Sequence, residues 1–320
     1  MNKKLVVLIP IFNDWESLYL LLRRLNEVLN LRQVPAVLLI IDDGSSRTFD
    51  PDQFELSGKS GIESIVVLRL NRNLGHQTAL AIGLSYLNDH ALPQSVLVMD
   101  GDGEDDPGEV EALLHCAEKN PGAVVFAERA QRSEPLIFRM LYQCYKLIFR
   151  IFIGERIGFG NYSLIPGDTV TALINFPELW LSLPATIIRS RRPYVATPTR
   201  RGTRYAGDSK LSLSGLIMHG LSAVAVFSDR LAMRMIIMCF VLFSGCVIAI
   251  VLSVAIKLLT EYAAPNWATN LVFGFSIISM ILIVICLQIL FSFLGQKIQG
   301  KTIPRTSYND FISSVDRFHD

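Results

Sequence analysis

Four short apolar runs rich in β-branched residues, at positions 5–9, 37–41, 65–68 and 96–99, punctuate the N-terminal third of the chain. Between the first two, residues 17–29 set Leu18, Leu21, Leu22 and Leu25 at three- and four-residue spacing, the stripe of an amphipathic helix. Residues 78–87, after the third run, are helical in pattern as well. Uninterrupted short apolar runs alternating with amphipathic helices predict an α/β domain with a parallel sheet covered on both faces.

The pattern changes towards the C-terminus. Residues 235–256 carry no charge, and residues 271–295 are equally uncharged, with Gln288 their main polar interruption. At ~1.5 Å per residue each reaches across a ~30 Å hydrocarbon core, and both are apolar on every face. Two transmembrane helices are expected. Arg230 and Arg234 precede the first and Lys297, Lys301 and Arg305 follow the second, whereas the connection 257–270 holds only Lys257 and Glu261. This bias predicts a two-span inner- or plasma-membrane protein with both termini in the cytosol. The expected organisation is a cytosolic domain over 1–230, a two-helix anchor over 231–296 and a polar, uninformative tail over 297–320. Two further stretches, 136–152 and 211–227, are amphipathic and are expected at the membrane surface. Gly245 and Gly274 could let the membrane helices pack against a second copy.

Composition adds little. Of 320 residues 51% are hydrophobic and 18% charged, and the apolar excess lies after Leu231. A net charge of +1 points to no particular partner, and no nucleic acid is expected. The five cysteines, Cys116, Cys144, Cys239, Cys246 and Cys286, include no C-x-x-C pair, which argues against a zinc site or a disulfide framework. The apolar start is short, is broken by Pro10 and lacks a small-residue cleavage site, so it reads as a first strand rather than a leader.

Each predicted strand ends in polar residues: Asn13-Asp14 after Pro10, Asp42-Asp43-Gly44-Ser45, Arg72-Asn73-Leu74-Gly75, and Asp100-Gly101-Asp102-Gly103-Glu104-Asp105-Asp106. In a parallel sheet these ends share one edge, where open α/β folds bind ligands. Carboxylates as close as Asp100 and Asp102 repel unless compensated, and they suit a hard divalent ion, Mg²⁺ or Mn²⁺, with Glu104 extending the alternation. Asp105 or Asp106 could instead cap a helix near 107–114. Asp42 and Asp43 could meet a nucleobase or ribose, and Arg72, Asn73 and Gly75 a phosphate; His76 lies in the same loop. A basic zone ends in Arg204-Tyr205-Ala206-Gly207-Asp208-Ser209-Lys210, in which Arg204, Ser209 and Lys210 suit phosphate binding.

These motifs, in this order and followed by two C-terminal spans, resemble family-two glycosyltransferases. The nearest resemblance is to the polyprenyl-phosphate glycosyltransferases, the group containing dolichol-phosphate mannose synthase, from about Leu5 to the end of the second span. The resemblance implies a GT-A fold and inverting transfer from a UDP- or GDP-linked sugar to a membrane lipid acceptor. It implies nucleotide contacts at Pro10, Asn13, Asp14, Asp43 and Asp100, and metal contacts at Asp100, Asp102 and Glu104. Arg204, Ser209 and Lys210 would engage acceptor or donor phosphates. Three positions depart from the relatives: Glu104 replaces Gln, Asp106 replaces the first Pro of Asp-Pro-Pro, and Gly160-Asn161-Tyr162-Ser163 replaces Gly-Asp-Phe-Arg near the acceptor. Asn161 cannot act as a general base. A phosphate acceptor needs none, whereas a sugar hydroxyl would need one, for which Asp105 and Asp168 are the candidates. Polyprenyl phosphate, a lipid-linked saccharide or glycan hydroxyl, and a non-catalytic membrane scaffold retaining the fold all remain readings of the sequence.

Overall fold

The computed structural model of the chain describes residues 5–54, 60–90, 92–129, 143, 149–150, 153–154, 159–206, 213–259, 266–298 and 302–319. They fall into two compact units. The first is built on an eight-stranded mixed sheet of order β7-β5-β6-β4-β1-β2-β3-β8. Its strands are β1 (Leu5–Ile11), β2 (Ala36–Asp42), β3 (Ile62–Leu70), β4 (Ser95–Val98), β5 (Val124–Arg129), β6 (Ser163–Pro166), β7 (Tyr194–Thr199) and β8 (Ile312–His319). The four runs expected as parallel strands form the centre, with β1 between β4 and β2.

The apolar runs need no polar alternation because both faces of the sheet are covered. Along β1, Leu5, Val7, Ile9 and Ile11 enter one core cluster, while Val6 and Leu8 enter the other. The first cluster is closed by α1 (Trp15–Arg32) and α3 (Val110–Lys119), the second by α2 (His76–His90), α4 (Gly167–Leu173) and α5 (Leu183–Arg189). Leu18, Leu21, Leu22 and Leu25 of α1 are fully buried, each contributing about 1.5–3 kcal/mol by leaving water.

The residues after Arg305, expected as a polar tail, instead complete the sheet. β8 runs antiparallel to β3, from Ser64 opposite His319 to Leu70 opposite Ile312. The turn before it is tied down by Asn71 N–H and Nδ2, which donate to Phe311 O and Asp310 O at 2.9 Å each. An edge strand open to solvent reads as polar, which hid it in the sequence. Tyr308, 2% exposed, donates its hydroxyl to Asp89 Oδ2 at 2.8 Å. Burial first, then the Asp89 carboxylate, push its pKa up to about 12. Tyr308→Phe should destabilise this unit by about 1 kcal/mol, read as a lower thermal midpoint.

The second unit contains α7 (Ser228–Leu259) and α8 (Trp267–Ile298), which pack against one another. Both are long and apolar enough to cross a membrane, and at most 11% of either most apolar window is buried. That exposure separates them from the core helices of a soluble domain. Of the two amphipathic stretches, 136–152 lies almost wholly outside the described residues. Within 211–227, α6 (Leu213–Ala225) exposes Met218 and Leu221.

Candidate functional site

The strand ends meet at one edge and are stapled together. Asp43 N–H donates to Ile11 O at 2.8 Å, joining the ends of β2 and β1. Asn13 sits at φ 51°, its N–H donates to Ser45 Oγ at 2.9 Å, and its Oδ1 accepts from Ser46 N at 2.9 Å. Pro10 lies inside β1, buried and in register with Ile41, one step behind the edge.

Asp42 and Asp43, 1% and 4% exposed, spend their oxygens on the protein. Asp42 Oδ1 accepts from Ser45 N at 2.8 Å, and Arg69 Nε stands 3.7 Å from its Oδ2. Asp43 accepts from Leu74 N at 2.7 Å and Gly75 N at 2.9 Å, holding the Arg72–Gly75 loop against the end of β2. Burial pushes the Asp43 carboxyl up while these two bonds pull it back. Gly44 permits the approach: its φ is +75°, and a Cβ there would stand 2.5 Å from the Arg72 carbonyl carbon. Arg72 and Asn73 remain exposed beside it.

The acidic loop is compensated by cations from elsewhere in the fold. Arg204 Nη1 donates to Asp102 Oδ2 at 3.1 Å, its Nη2 pairs with Asp14 Oδ2, and its Nε donates to Ala206 O at 3.0 Å. Arg201 Nη2 pairs with Glu104 Oε2 at 2.6 Å. The backbones are zipped as well: Gly202 N donates to Glu104 O at 2.9 Å, Tyr205 N to Asp102 O at 3.0 Å, and Asp105 bridges Arg201. Tyr205 lies on Gly103, whose φ of +92° turns the loop. Glu104, expected as a third metal ligand, is thus drawn towards Arg201. Among the described residues no three His, Cys, Asp or Glu side chains gather as a cage.

Asp105, one of the two carboxylates considered as a base, is built into the loop itself. It is 4% exposed, and its Oδ2 accepts from Asp100 N at 3.0 Å, so it shapes the loop. Asp106 is the cap, accepting from Gly108 N at 2.9 Å. Asp168 follows Pro166, which pairs with Ser95 at the start of β4, whereas Asp100 follows the end of β4. The two therefore lie at opposite edges of the sheet.

Asn161 does reach the site. Leu183 N–H donates to Gln77 Oε1 at 2.8 Å, which leaves Gln77 Nε2 to donate to Asn161 Oδ1 at 3.0 Å. Asn161 Nδ2 then donates to His76 Nε2 at 3.0 Å. A backbone N–H can only donate, so the chain of directions leaves Nε2 an acceptor and the imidazole neutral. Desolvation likewise pushes His76 down to about 4, against the pull of Asp43 and Asp102. Its side chain keeps 38% exposure, so the bond directions argue neutrality more firmly. The 3.3 Å approach of Asp100 Oδ1 to Nε2 is accordingly a contact of two acceptors at neutral pH rather than an ion pair. Ser209 and Lys210 lie outside the described residues. Sequence reasoning missed Gln77 and the pairing of Arg201 with Glu104; contacts across some hundred residues leave no local signal.

Known proteins with this architecture narrow the assignment. Residues 6–175 match the family model "Glycosyl transferase family 2". The undecaprenyl-phosphate 4-deoxy-4-formamido-L-arabinose transferase of Yersinia enterocolitica is 25% identical over 314 residues, 96% of this chain and 90% of the relative. Its namesake from Klebsiella pneumoniae is 28% identical over 317 residues, with the same coverage of both chains. Among solved structures, mannosyl-3-phosphoglycerate synthase from Rubrobacter xylanophilus shares the fold, with a TM-score of 0.50 at 15% identity over 72% of this chain and 74% of that one. The chain belongs to glycosyl transferase family 2, and is a glycosyltransferase of GT-A fold followed by two helices apolar enough to span a membrane.

Proposed function

We propose that this transferase moves a sugar, with inversion, from a UDP- or GDP-linked donor to a polyprenyl phosphate held in the cytosolic leaflet. The observation that carries the acceptor is the alignment with the undecaprenyl-phosphate transferases, which at 96% of the chain takes in the segment of both apolar helices. The positions of the carboxylates agree with it. Asn161 cannot take a proton, Asp105 is buried under the loop, and Asp168 is at the far edge. A phosphate acceptor is already ionised: its oxygen attacks the anomeric carbon, the bond from that carbon to the nucleoside diphosphate breaks, and no proton has to move. A hydroxyl acceptor would have to give up a proton and so would need a base.

Asp14, Arg72 and Asn73 at the edge are the nucleotide side of this proposal, with Pro10, Asn13, Asp42, Asp43 and Gly75 bracing them. Arg204, together with Ser209 and Lys210 on sequence grounds, is the phosphate side. Asp100 and Asp102 offer hard oxygen donors on side chains that are 34% and 22% exposed. That donor set fits Mg²⁺ or Mn²⁺ if diphosphate oxygens complete the shell. When bound, such an ion would neutralise charge on the departing diphosphate. Self-association through α7 and α8 belongs to the same proposal: a Cβ on Gly245 or Gly274 would meet nothing within 4 Å, which leaves room for a neighbour.

The test uses the full chain in nanodiscs containing undecaprenyl phosphate, with labelled UDP- and GDP-sugars and Mn²⁺ or Mg²⁺. Label should enter an acid-labile lipid monophosphate, with release of nucleoside diphosphate and loss of turnover on adding EDTA. Label found only in a saccharide chain would overturn the acceptor. Turnover indifferent to EDTA would overturn the metal.

A further inference from the structure

Arg204 is 16% exposed and uses three of its donors on the protein, two of them on carboxylates from different elements. Asp14 precedes α1, and Asp102 belongs to the loop after β4. Nothing in the covalent structure requires these two charges to be close, and each would raise the cost of ionising the other without a cation between them. The Arg204 guanidinium supplies that cation. It does so from a strap, Arg201–Tyr205, whose backbone is zipped to the acidic loop, so the side chain can turn while its anchor stays.

We infer that Arg204 is a resident counter-cation that changes partners during the catalytic cycle. Without donor it neutralises Asp14 and Asp102. When a divalent cation arrives with a nucleoside diphosphate, Arg204 leaves Asp102 and pairs with diphosphate oxygens, which suit its planar fork as well as a carboxylate does. The inference rests on the metal reading above but adds something that reading does not contain. A divalent ion alone has to displace Arg204 from Asp102, so it binds weakly. With nucleotide present the displaced guanidinium has somewhere to go, so the two ligands favour each other. That coupling is a free energy, reciprocal between metal and nucleotide, and Arg204 carries it.

Full-length protein in nanodiscs is titrated with Mn²⁺ alone, followed by the paramagnetic resonance signal of the free ion. It is then titrated with UDP, and separately with GDP, at fixed Mn²⁺. Arg204→Gln should bind Mn²⁺ alone about tenfold tighter than the unaltered chain, because the competitor is gone, and should bind the preferred nucleotide about tenfold weaker in the presence of Mn²⁺. The opposite signs are the signature, since a merely structural arginine would weaken both. Arg204→Lys keeps a point charge without the fork and should lie between the two proteins in both titrations, which carries the test if the glutamine variant does not fold. Mn²⁺ affinity in the absence of nucleotide that stays unchanged or falls in these variants overturns the exchange. Failure of the unaltered chain to bind Mn²⁺ with either nucleotide overturns the metal reading itself, and the exchange with it.

Discussion

Replacing Asp102 by Asn is expected to lower sugar transfer by about 10²–10³-fold, the range seen when one preorganised electrostatic partner of a developing charge is removed. The amide keeps the Oδ1 acceptor that Glu104 N–H uses at 2.9 Å, so the loop should hold its shape. What disappears is the negative charge at Oδ2, the atom that faces Arg204 at 3.1 Å. Initial rates with labelled donor, beside a thermal unfolding curve unchanged to within about 1 kcal/mol, separate a chemical effect from a folding one. A rate within tenfold of the unaltered enzyme would remove Asp102 from the reacting centre.

The second large effect is on stability. Asp43→Ala strips Leu74 N–H and Gly75 N–H of their acceptor in one step, and the carboxylate it removes is 4% exposed. Each donor left without a partner costs about 1–3 kcal/mol, so the loss should approach about 3 kcal/mol, a large part of the stability of a typical domain. Asp43→Asn retains one oxygen and should lose roughly half as much. Hydrogen exchange at Leu74 and Gly75, measured with the thermal midpoint, reports the cause directly. Protection unchanged at those two amides would mean that the Arg72–Gly75 loop is held by something else.

The two sets of residues differ in how visible they are in the chain itself. The leucines of α1 and the four central strands are governed by periodicity, and periodicity is local. The site edge is legible for the same reason, because polar residues at the ends of parallel strands fall together whatever the register. What the chain hides is pairing at a distance. The acidic loop suggested a metal because its carboxylates lack compensating charge nearby in sequence, yet Arg201 and Arg204, about a hundred residues on, supply much of it. Asp168 looked as available as Asp105 until β6 proved antiparallel to β4, which carried it to the opposite edge. The four-residue strands β4 and β6 are short enough that direction cannot be inferred from composition.

The pairing of β8 with β3 imposes a counting rule on the segment between them. If α7 and α8 cross a bilayer, β8 can meet β3 only when the number of crossings is even, since strands on opposite sides cannot share hydrogen bonds. Completion of the sheet then reports on insertion. A chain in which one helix fails to insert keeps β8 away and leaves the donors and acceptors of β3 as a bare edge, the kind of surface that recruits other strands and attracts proteolysis. Polar substitutions deep in α8 would on this logic deplete the folded transferase domain, rather than release it as an active soluble enzyme.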